Sequence, residues 1–303
     1  MVVTGIGLVS ALGLLPHEVG AAVADGRSGI EPCDGLLTHL PIQGVARCEG
    51  DVRPLLRRRK DRKLIPRAAQ LAIIAAHRAL GEDRPDGIGL FMGVGREPAD
   101  QDDVERALVR SCLDGRLDVQ ALSTVGLAAY PPLAPLRTLP NMVLAHVAIQ
   151  LQLTGEGTTR CGEQAAGLAA IVEGLHAVRE GRCDVALCGA GDSAVDPGGA
   201  RDLARSGCIG PRRAPGEGAA MIRLERADRA AARGARAWAR LMAGGTAYDG
   251  PTRDHVSPRE GAWGRCGAAT GVMDLVVDLA SKAATQITVT ERSGARAHLA
   301  WTW

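Results

Sequence analysis

Cys161-Gly162-Glu163-Gln164-Ala165-Ala166-Gly167 is the stretch that decides the fold, because it has the pattern of a tight turn between a strand and a helix. The extended piece Thr158-Thr159-Arg160 precedes it, and an amphipathic helix that Gly181 can end follows it. A side chain at such a junction lies among unpaired N–H groups at the positive end of the helix dipole, which suits a thiolate or an oxyanion. Gln164 can be neither, so a neutral amide stands where a nucleophile would sit.

Strand and helix signals alternate along the rest of the chain. Strand signals lie near residues 2–8, 87–94, 157–161, 184–190, 218–225, 236–247, 285–290 and 295–302. Helix signals lie near 17–25, 66–80, 100–114, 141–152, 165–180, 226–233 and 268–282. This alternation predicts an α/β protein of packed layers with much parallel strand pairing. Aromatic residues make up only 2% of the chain, so small aliphatic side chains must fill the core and allow close helix packing.

Five further stretches form a specific set together with the turn. They are Val2-Val3-Thr4-Gly5-Ile6-Gly7, residues 61–76, Leu139-Pro140-Asn141-Met142, residues 184–191 and Pro215-Gly216-Glu217-Gly218-Ala219-Ala220. The set resembles the β-ketoacyl synthases of fatty-acid and polyketide assembly. The resemblance implies a thiolase-like, layered α/β/α fold with a truncated C-terminal half. We expect one domain over 1–303, with an N-terminal half at 1–230 and a shortened C-terminal half at 231–303.

Two departures from the family pattern bear on activity. Aligned without a gap from Gly155 to Ile171, the reactive cysteine of the family falls on Gln164. Residues 263–271 resemble the segment of one of its two histidines, with Gly264 in the histidine's place. The block that holds the other histidine is missing, and we interpret His255, just before the gap, as structural. A carboxamide is not a nucleophile, and glycine has no side chain to donate a proton. We therefore expect no catalytic residues, and changing Gln164 to Cys alone should not create condensation activity.

The resemblance offers three functions for such a chain. With glutamine at the cysteine position, the chain is similar to chain length factors, the non-catalytic partners of active ketosynthases that help to shape the acyl tunnel. A chain-length-factor role is the leading hypothesis. The chain is also similar to loading ketosynthases, so Gln164 could serve a malonyl-carrier-protein decarboxylase. A degenerate acyl-carrier-binding or regulatory protein is the third hypothesis. Whether the chain is itself an enzyme stays open. The simpler interpretation is an inactive subunit of a β-ketoacyl synthase complex, which is an acyltransferase.

The leading hypothesis implies a heterodimer with an active ketosynthase. By resemblance, the interface and tunnel residues are Asn141, Met142, Thr158, Thr159, Arg160, Cys161 and Gln164. A shortened second half should leave apolar faces that another subunit covers. Cys161 could alternatively be a displaced nucleophile, but a packed strand residue is the simpler interpretation.

The densest run of charge indicates a second partner. It consists of Arg57, Arg58, Arg59, Lys60, Arg62 and Lys63. Such a run is often a solvated face, yet it would also attract an acidic acyl carrier protein. We expect no bound cofactor, because the acyl-phosphopantetheine would arrive on that carrier protein.

Composition excludes several other classes of protein. The chain has 303 residues, 46% hydrophobic, and a net charge of +2, which argues against disorder and against a nucleic-acid partner. Eight cysteines and seven histidines show no metal-ligand spacing. The apolar N-terminus lacks the preceding basic residues of a secretory signal, and no segment is long enough to span a membrane. We therefore expect a cytoplasmic protein with no metal and no membrane contact.

Overall fold

A mixed sheet of eight strands organises the protein, as a computed structural model shows for residues 1–33, 42–95, 101–208, 213–251 and 256–303, with only the backbone described at 101 and 102. The strands are β1 (Val2–Val9), β2 (Ile30–Pro32), β3 (Gly44–Ala46), β4 (Gly89–Val94), β5 (Cys112–Leu113), β6 (Arg116–Leu117), β7 (Gly157–Cys161), β8 (Val185–Ser193), β9 (Glu217–Glu225), β10 (Ala239–Tyr248), β11 (Gln286–Thr290) and β12 (Ala295–Thr302). The main sheet has the order β11-β12-β10-β1-β9-β8-β4-β7, and β2-β3 and β5-β6 form separate pairs.

Helices connect these strands and cover the sheet. They are α1 (Pro16–Ala24), α2 (Arg67–Leu80), α3 (Gln101–Arg110), α4 (Val119–Ala121), α5 (Leu127–Ala129), α6 (Pro135–Thr138), α7 (Asn141–Leu151), α8 (Ala166–Arg179), α9 (Pro197–Arg205), α10 (Ala227–Ala232), α11 (Glu260–Trp263) and α12 (Thr270–Ser281). Short 3₁₀ turns lie at Arg53–Leu55, Arg59–Leu64 and Gly267–Ala269, and a π turn lies at Leu122–Gly126. The alternation of strands and helices predicted from the sequence is confirmed. His255, interpreted above as structural, lies outside the described residues.

Fewer strands pair in parallel than the sequence predicts. Among the described strands, only β7, β4 and β8 pair in parallel, and every other pairing in the main sheet is antiparallel. A parallel neighbour requires a crossover helix that packs on the sheet. The connection from β8 to β9 contains α9, in which Ala200 is the single buried residue, so the chain folds straight back beside β8.

Helix layers cover both faces of the sheet. Helix α2 lies on one face against β1, β9 and β8, with α7 beside it, while α8 and α12 lie on the other face. Small residues permit this close approach, since a Cβ built on Gly7 would stand 2.0 Å from the carbonyl oxygen of Ala75 in α2. On the opposite face, a Cβ on Gly93 would stand 2.3 Å from the nitrogen of Gly167 in α8. The layered α/β/α architecture predicted from the resemblance is thus confirmed.

The C-terminal strands extend the same sheet and also close over α8. Strand β10 pairs with β1, β12 pairs with β10, and both β10 and β12 contact α8. Leu299 and Trp301 point into this core and are buried. On the other face of these strands, the paired Thr288 and His298 are exposed and polar.

Exposed apolar side chains gather in a different part of the molecule. The apolar patch, as we call it, is formed by Leu108, Val109, Leu113, Leu117, Val119, Val125, Leu127, Leu133 and Leu139, each at least 40% exposed. Two of the nine lie in the last turn of α3, and the other seven lie between α3 and the start of α7. The shortened second half was expected to leave uncovered apolar faces, but the exposed side of the paired β11 and β12 carries polar residues. Most of the exposed large apolar side chains lie in the N-terminal half instead.

Candidate functional site

The predicted strand-turn-helix junction is present and lies at the end of the main sheet. Strand β7 pairs with β4 in parallel, from Gly157 opposite Leu90 to Cys161 opposite Val94. The amide of Gly162 then donates to the carbonyl oxygen of Val94 at 3.1 Å, which continues the pairing one residue into the turn. Helix α8 begins at Ala166 without a side-chain cap.

Gln164 is enclosed at this junction. Its relative exposure is 0%, and neither its side-chain oxygen nor its side-chain nitrogen has a hydrogen-bond partner among the described residues. Helix α12 lies next to it, because a Cβ built on Gly271 would stand 3.4 Å from the backbone oxygen of Gln164. A buried carboxamide of this kind offers one acceptor and two donor hydrogens but no ionisable group.

The N–H groups on either side of Gln164 are taken by a carboxylate. Glu291, in the turn between β11 and β12, accepts from the amide of Glu163 at 2.7 Å and from the amide of Ala165 at 3.1 Å, both through Oε1. Ser293 donates its hydroxyl to Oε2 of the same carboxylate at 3.1 Å. Sequence reasoning missed Glu291, because nothing in the turn Glu291-Arg292-Ser293-Gly294 indicates which part of the chain it contacts.

Gly264, predicted from the resemblance to stand at a histidine position of the family, lies in a backbone environment that favours glycine. It follows α11 with φ 71° and ψ −170°, a conformation that is essentially restricted to glycine. A Cβ at this position would stand 2.9 Å from the carbonyl oxygen of Ala214 and 3.0 Å from the Cα of Gly216. The backbone here leaves no room for a histidine side chain without displacing the 214–216 segment.

Asp192, which the sequence reasoning did not single out, fixes the segment that precedes α12. Its two carboxylate oxygens each accept a backbone N–H at 2.8 Å, one from Ser193 and one from Ala268. Burial raises the pKa of this carboxyl to about 6. A Cβ on Gly267 would stand only 2.0 Å from Oδ2, so glycine is required for the carboxylate to approach this closely.

The residues predicted for the interface and tunnel lie on β7 and at the start of α7. Thr158 and Thr159 are half-buried, and Arg160 is exposed and paired with Glu173 of α8 at 2.7 Å. Asn141 is the exposed first residue of α7, and Met142, next to it, is half-buried. Strand β7 is the last strand at its end of the sheet order, so its outer edge has no neighbour among the described strands.

Cys161 differs from the packed strand residue that the sequence indicates. It is the last residue of β7 and is exposed, because an edge strand is covered less than an internal one. It directly follows the exposed Arg160 and stands three residues before the buried Gln164. The structure therefore separates the two side chains into different environments.

The predicted docking cations are all exposed. Arg57, Arg58, Arg59, Lys60, Arg62 and Lys63 lie before α2, and most of them belong to the 3₁₀ turn Arg59–Leu64. Arg58 pairs with Asp61 at 3.2 Å. The backbone amide of Arg57 donates to Gln150 at 2.8 Å, which attaches this segment to the end of α7.

Metal and membrane sites receive no support from the described ranges. No three of their His, Cys, Asp or Glu residues are grouped so as to hold a metal ion. None of the helices in those ranges combines the length and the apolar character that crossing a bilayer requires.

Comparisons with known proteins agree with this architecture. Nodulation protein E of Rhizobium leguminosarum bv. trifolii is 30% identical over 278 residues, which cover 85% of this chain and 65% of that protein. The chain thus spans less than two thirds of the length of this curated relative.

Solved structures share the fold at lower sequence identity. The ishigamide ketosynthase/chain length factor aligns with a TM-score of 0.80 and 19% identity, over 99% of this chain and 98% of that one. A β-ketoacyl synthase from Burkholderia phymatum STM815 aligns with a TM-score of 0.77 and 16% identity over the same shares of the two chains. The complex AntDE:AntF, a type II PKS acyl-carrier protein with its ketosynthase bound to the hexaketide, aligns over the same shares at 0.74 and 17%. The family model described as Beta-ketoacyl synthase, N-terminal domain, matches residues 1–230, and the chain therefore belongs to the β-ketoacyl synthase family.

Proposed function

We propose that this chain is a non-catalytic subunit of the chain-length-factor type. It pairs with an active β-ketoacyl synthase in polyketide or specialised fatty-acid biosynthesis and shapes the tunnel for the growing acyl chain. The observation that carries the proposal is Gln164, a fully buried neutral side chain at the position of the family's nucleophile. This role implies a cytoplasmic location beside the partner enzymes.

The chemistry of condensation supports the absence of catalysis. The reaction needs a thiolate to accept the acyl chain and imidazole groups to assist decarboxylation and to stabilise the developing oxyanion. Gln164 cannot form a thioester, and the backbone at Gly264 is incompatible with a histidine. Losing several members of a cooperating catalytic set leaves little rate enhancement.

Two surfaces support pairing with another subunit. The edge of β7 offers backbone N–H and C=O groups that a partner strand could extend. The apolar patch supplies apolar area of the kind that interfaces bury. The fold is also shared with a ketosynthase/chain length factor and with a ketosynthase that holds an acyl-carrier protein.

The six exposed cations support a dock for the carrier protein. Clustered positive charge raises the association rate with an acidic partner and orients it. Reversal of Arg59, Lys60 and Lys63 to Glu should weaken carrier binding by at least about tenfold at low salt, with a smaller loss at high salt. Reversal of the exposed Arg27, Arg201 and Arg240 is the matched control. Equal losses from the two triple variants would contradict a dock at this segment.

Co-expression tests the pairing directly. The chain is produced together with a full-length ketosynthase encoded beside it, and the mass of the purified complex is measured by light scattering. We expect a 1:1 heterodimer whose product chain length changes when half-buried Met142 is enlarged to Trp. A well-behaved monomer with no affinity for such ketosynthases would overturn the proposal. Binding of the carrier protein without any ketosynthase would favour a regulatory or carrier-binding protein.

One observation keeps decarboxylation as a second candidate function. Both polar atoms of the Gln164 side chain lack a hydrogen-bond partner in the described part of the chain, so an opening of the enclosed junction would let the carboxamide hydrogen-bond a malonyl thioester. A decarboxylase would release carbon dioxide from malonyl-carrier protein and lose that activity in Gln164→Ala. Release that persists in Gln164→Ala would exclude this residue as the active group.

A further inference from the structure

Glu291 accepts hydrogen bonds from the backbone N–H groups on either side of position 164, the expected nucleophile position. Its Oε1 accepts from the N–H groups of Glu163 and Ala165, the residues immediately before and after Gln164. These donors lie just before α8, where unpaired backbone N–H groups and the helix dipole favour negative charge. A single carboxylate oxygen therefore satisfies both donors beside the side chain of interest.

The carboxylate is buried and held from several sides. Glu291 is 5% exposed, and the hydroxyl of Ser293 donates to its second oxygen. Arg292, the next residue, donates instead to the carbonyl oxygen of Ser206. Gly162 leaves room for the carboxylate, because a Cβ there would stand 3.0 Å from Oε1.

A second negative charge at this turn would meet an unfavourable environment. Two like charges a few ångströms apart repel strongly when water is largely excluded. Two of the donors that could stabilise a thiolate or an oxyanion, the N–H groups of Glu163 and Ala165, are already engaged by Glu291. A neutral carboxamide at position 164 avoids this repulsion, so Gln164 and Glu291 suit each other electrostatically.

We infer that Glu291 is a built-in anion that fills the amide site before α8 and excludes any other anion, whether a thiolate or an acyl oxyanion, from the turn. The inference rests on the proposed non-catalytic role and gives that role a second, independent cause. A cysteine at position 164 would then supply the sulfur atom of a nucleophile, but the N–H groups that could stabilise its thiolate would remain bound to Glu291.

The thiol pKa of Q164C tests the inference in the isolated chain. Protein labelled with ¹³C at the cysteine Cβ is titrated by NMR, and the added signal is identified by difference from the parent protein. We expect a thiol pKa above the ordinary value of about 8.5 in Q164C. In Q164C/E291Q it should fall by about one unit or more, because the charge is removed while the amide oxygen can still accept both N–H groups.

A matched variant separates this contact from general charge effects. Glu163 carries an exposed carboxylate one residue from the site, so Q164C/E163Q should titrate close to Q164C. Equal pKa values in Q164C and Q164C/E291Q would overturn the inference, and so would a value at or below about 8.5 in Q164C alone.

A third variant covers the case in which E291Q does not fold. In Q164C/G162A the added methyl group pushes the carboxylate away, and the thiol pKa should fall below that of Q164C. An unchanged value there would contradict the inference. None of these measurements involves a ketosynthase partner, so a failure here and a failure of heterodimer formation are distinguishable.

Discussion

Gly264 shows how the backbone conformation at one position restricts the side chains that it can carry. Its φ and ψ belong to a region that side-chain-bearing residues enter only at a cost of about 1–3 kcal/mol. The surrounding backbone of Ala214 and Gly216 adds a steric cost, because main-chain atoms cannot rotate away as a flexible side chain would.

Gly264→His should therefore destabilise the protein rather than repair it. We expect the free energy of unfolding to fall by more than about 2 kcal/mol, as measured by urea denaturation. Gly181→His is the control, because Gly181 has a similar φ of 73° but no atom within 4 Å of an added Cβ. A loss in Gly264→His no larger than that in Gly181→His would show that the 214–216 backbone adjusts at little cost.

Single residues also mark the limit of sequence reasoning at the site. The position of Gln164 at the start of a helix was predictable, because local patterns define a strand-turn-helix junction. The hydrogen bonds of its neighbours Glu163 and Ala165 to Glu291 were not, because 128 and 126 positions separate these pairs in sequence. Asp192 escaped notice for the same reason, since its partner Ala268 lies in a distant segment.

Helix α12 holds two carboxylates that were not recognised in its sequence. Arg259 forms ion pairs with Asp274, at 3.2 Å, and with Asp278 one turn further along the helix. Burial raises the pKa of Asp274 to about 6, from an ordinary value of 3.8. The folded protein therefore holds this proton more tightly than the unfolded chain does.

The free energy of unfolding should accordingly depend on pH through α12. The contribution of Asp274 falls as pH rises from about 4 to about 6, by up to about 3 kcal/mol for a shift of about two units. Asp274→Asn should flatten the dependence in this window, as measured by urea unfolding at pH 4, 5, 6 and 7. Asp114→Asn, at an exposed hairpin position, is the control. An unchanged slope in Asp274→Asn would show that this carboxyl does not titrate in the window.

Element positions were predicted best where periodicity is long. Helix α2 was expected at 66–80 and observed at Arg67–Leu80, whereas the helix expected at 100–114 ends at Arg110. A small hairpin follows, in which Asp114 and Gly115 both have positive φ, as a two-residue Asp-Gly turn requires. Strand direction was the weaker prediction, because it depends on which connections pack on the sheet and not on local pattern.

At the scale of the whole molecule, the described residues include one region that exposes an unusual number of large apolar side chains. The apolar patch exposes nine large side chains in the described part of the chain from α3 to the start of α7. Contact of such apolar surface with water is unfavourable in free energy, and burying it is favourable. A protein carrying it alone should self-associate or bind another subunit there.

Substitutions within the apolar patch test whether it mediates self-association or binding to another subunit. Val119→Asp/Leu127→Asp should reduce self-association of the isolated chain and weaken ketosynthase binding by at least about tenfold. Analytical ultracentrifugation and binding calorimetry measure the two effects. Tyr248→Asp, on β10 and outside the apolar patch, is the control with a comparably exposed side chain. Unchanged assembly in the double variant would place the contact surface elsewhere.

The central position of β1 has a consequence for biosynthesis. This strand lies between β9 and β10, so Val2–Val9 leave the ribosome long before the segments with which they pair, which begin at Glu217 and Ala239. Until those segments emerge, an apolar strand has no hydrogen-bonded neighbour, and contacts between distant parts of a chain form slowly. Nascent chains of this protein should therefore depend on chaperones until β9 and β10 have been synthesised.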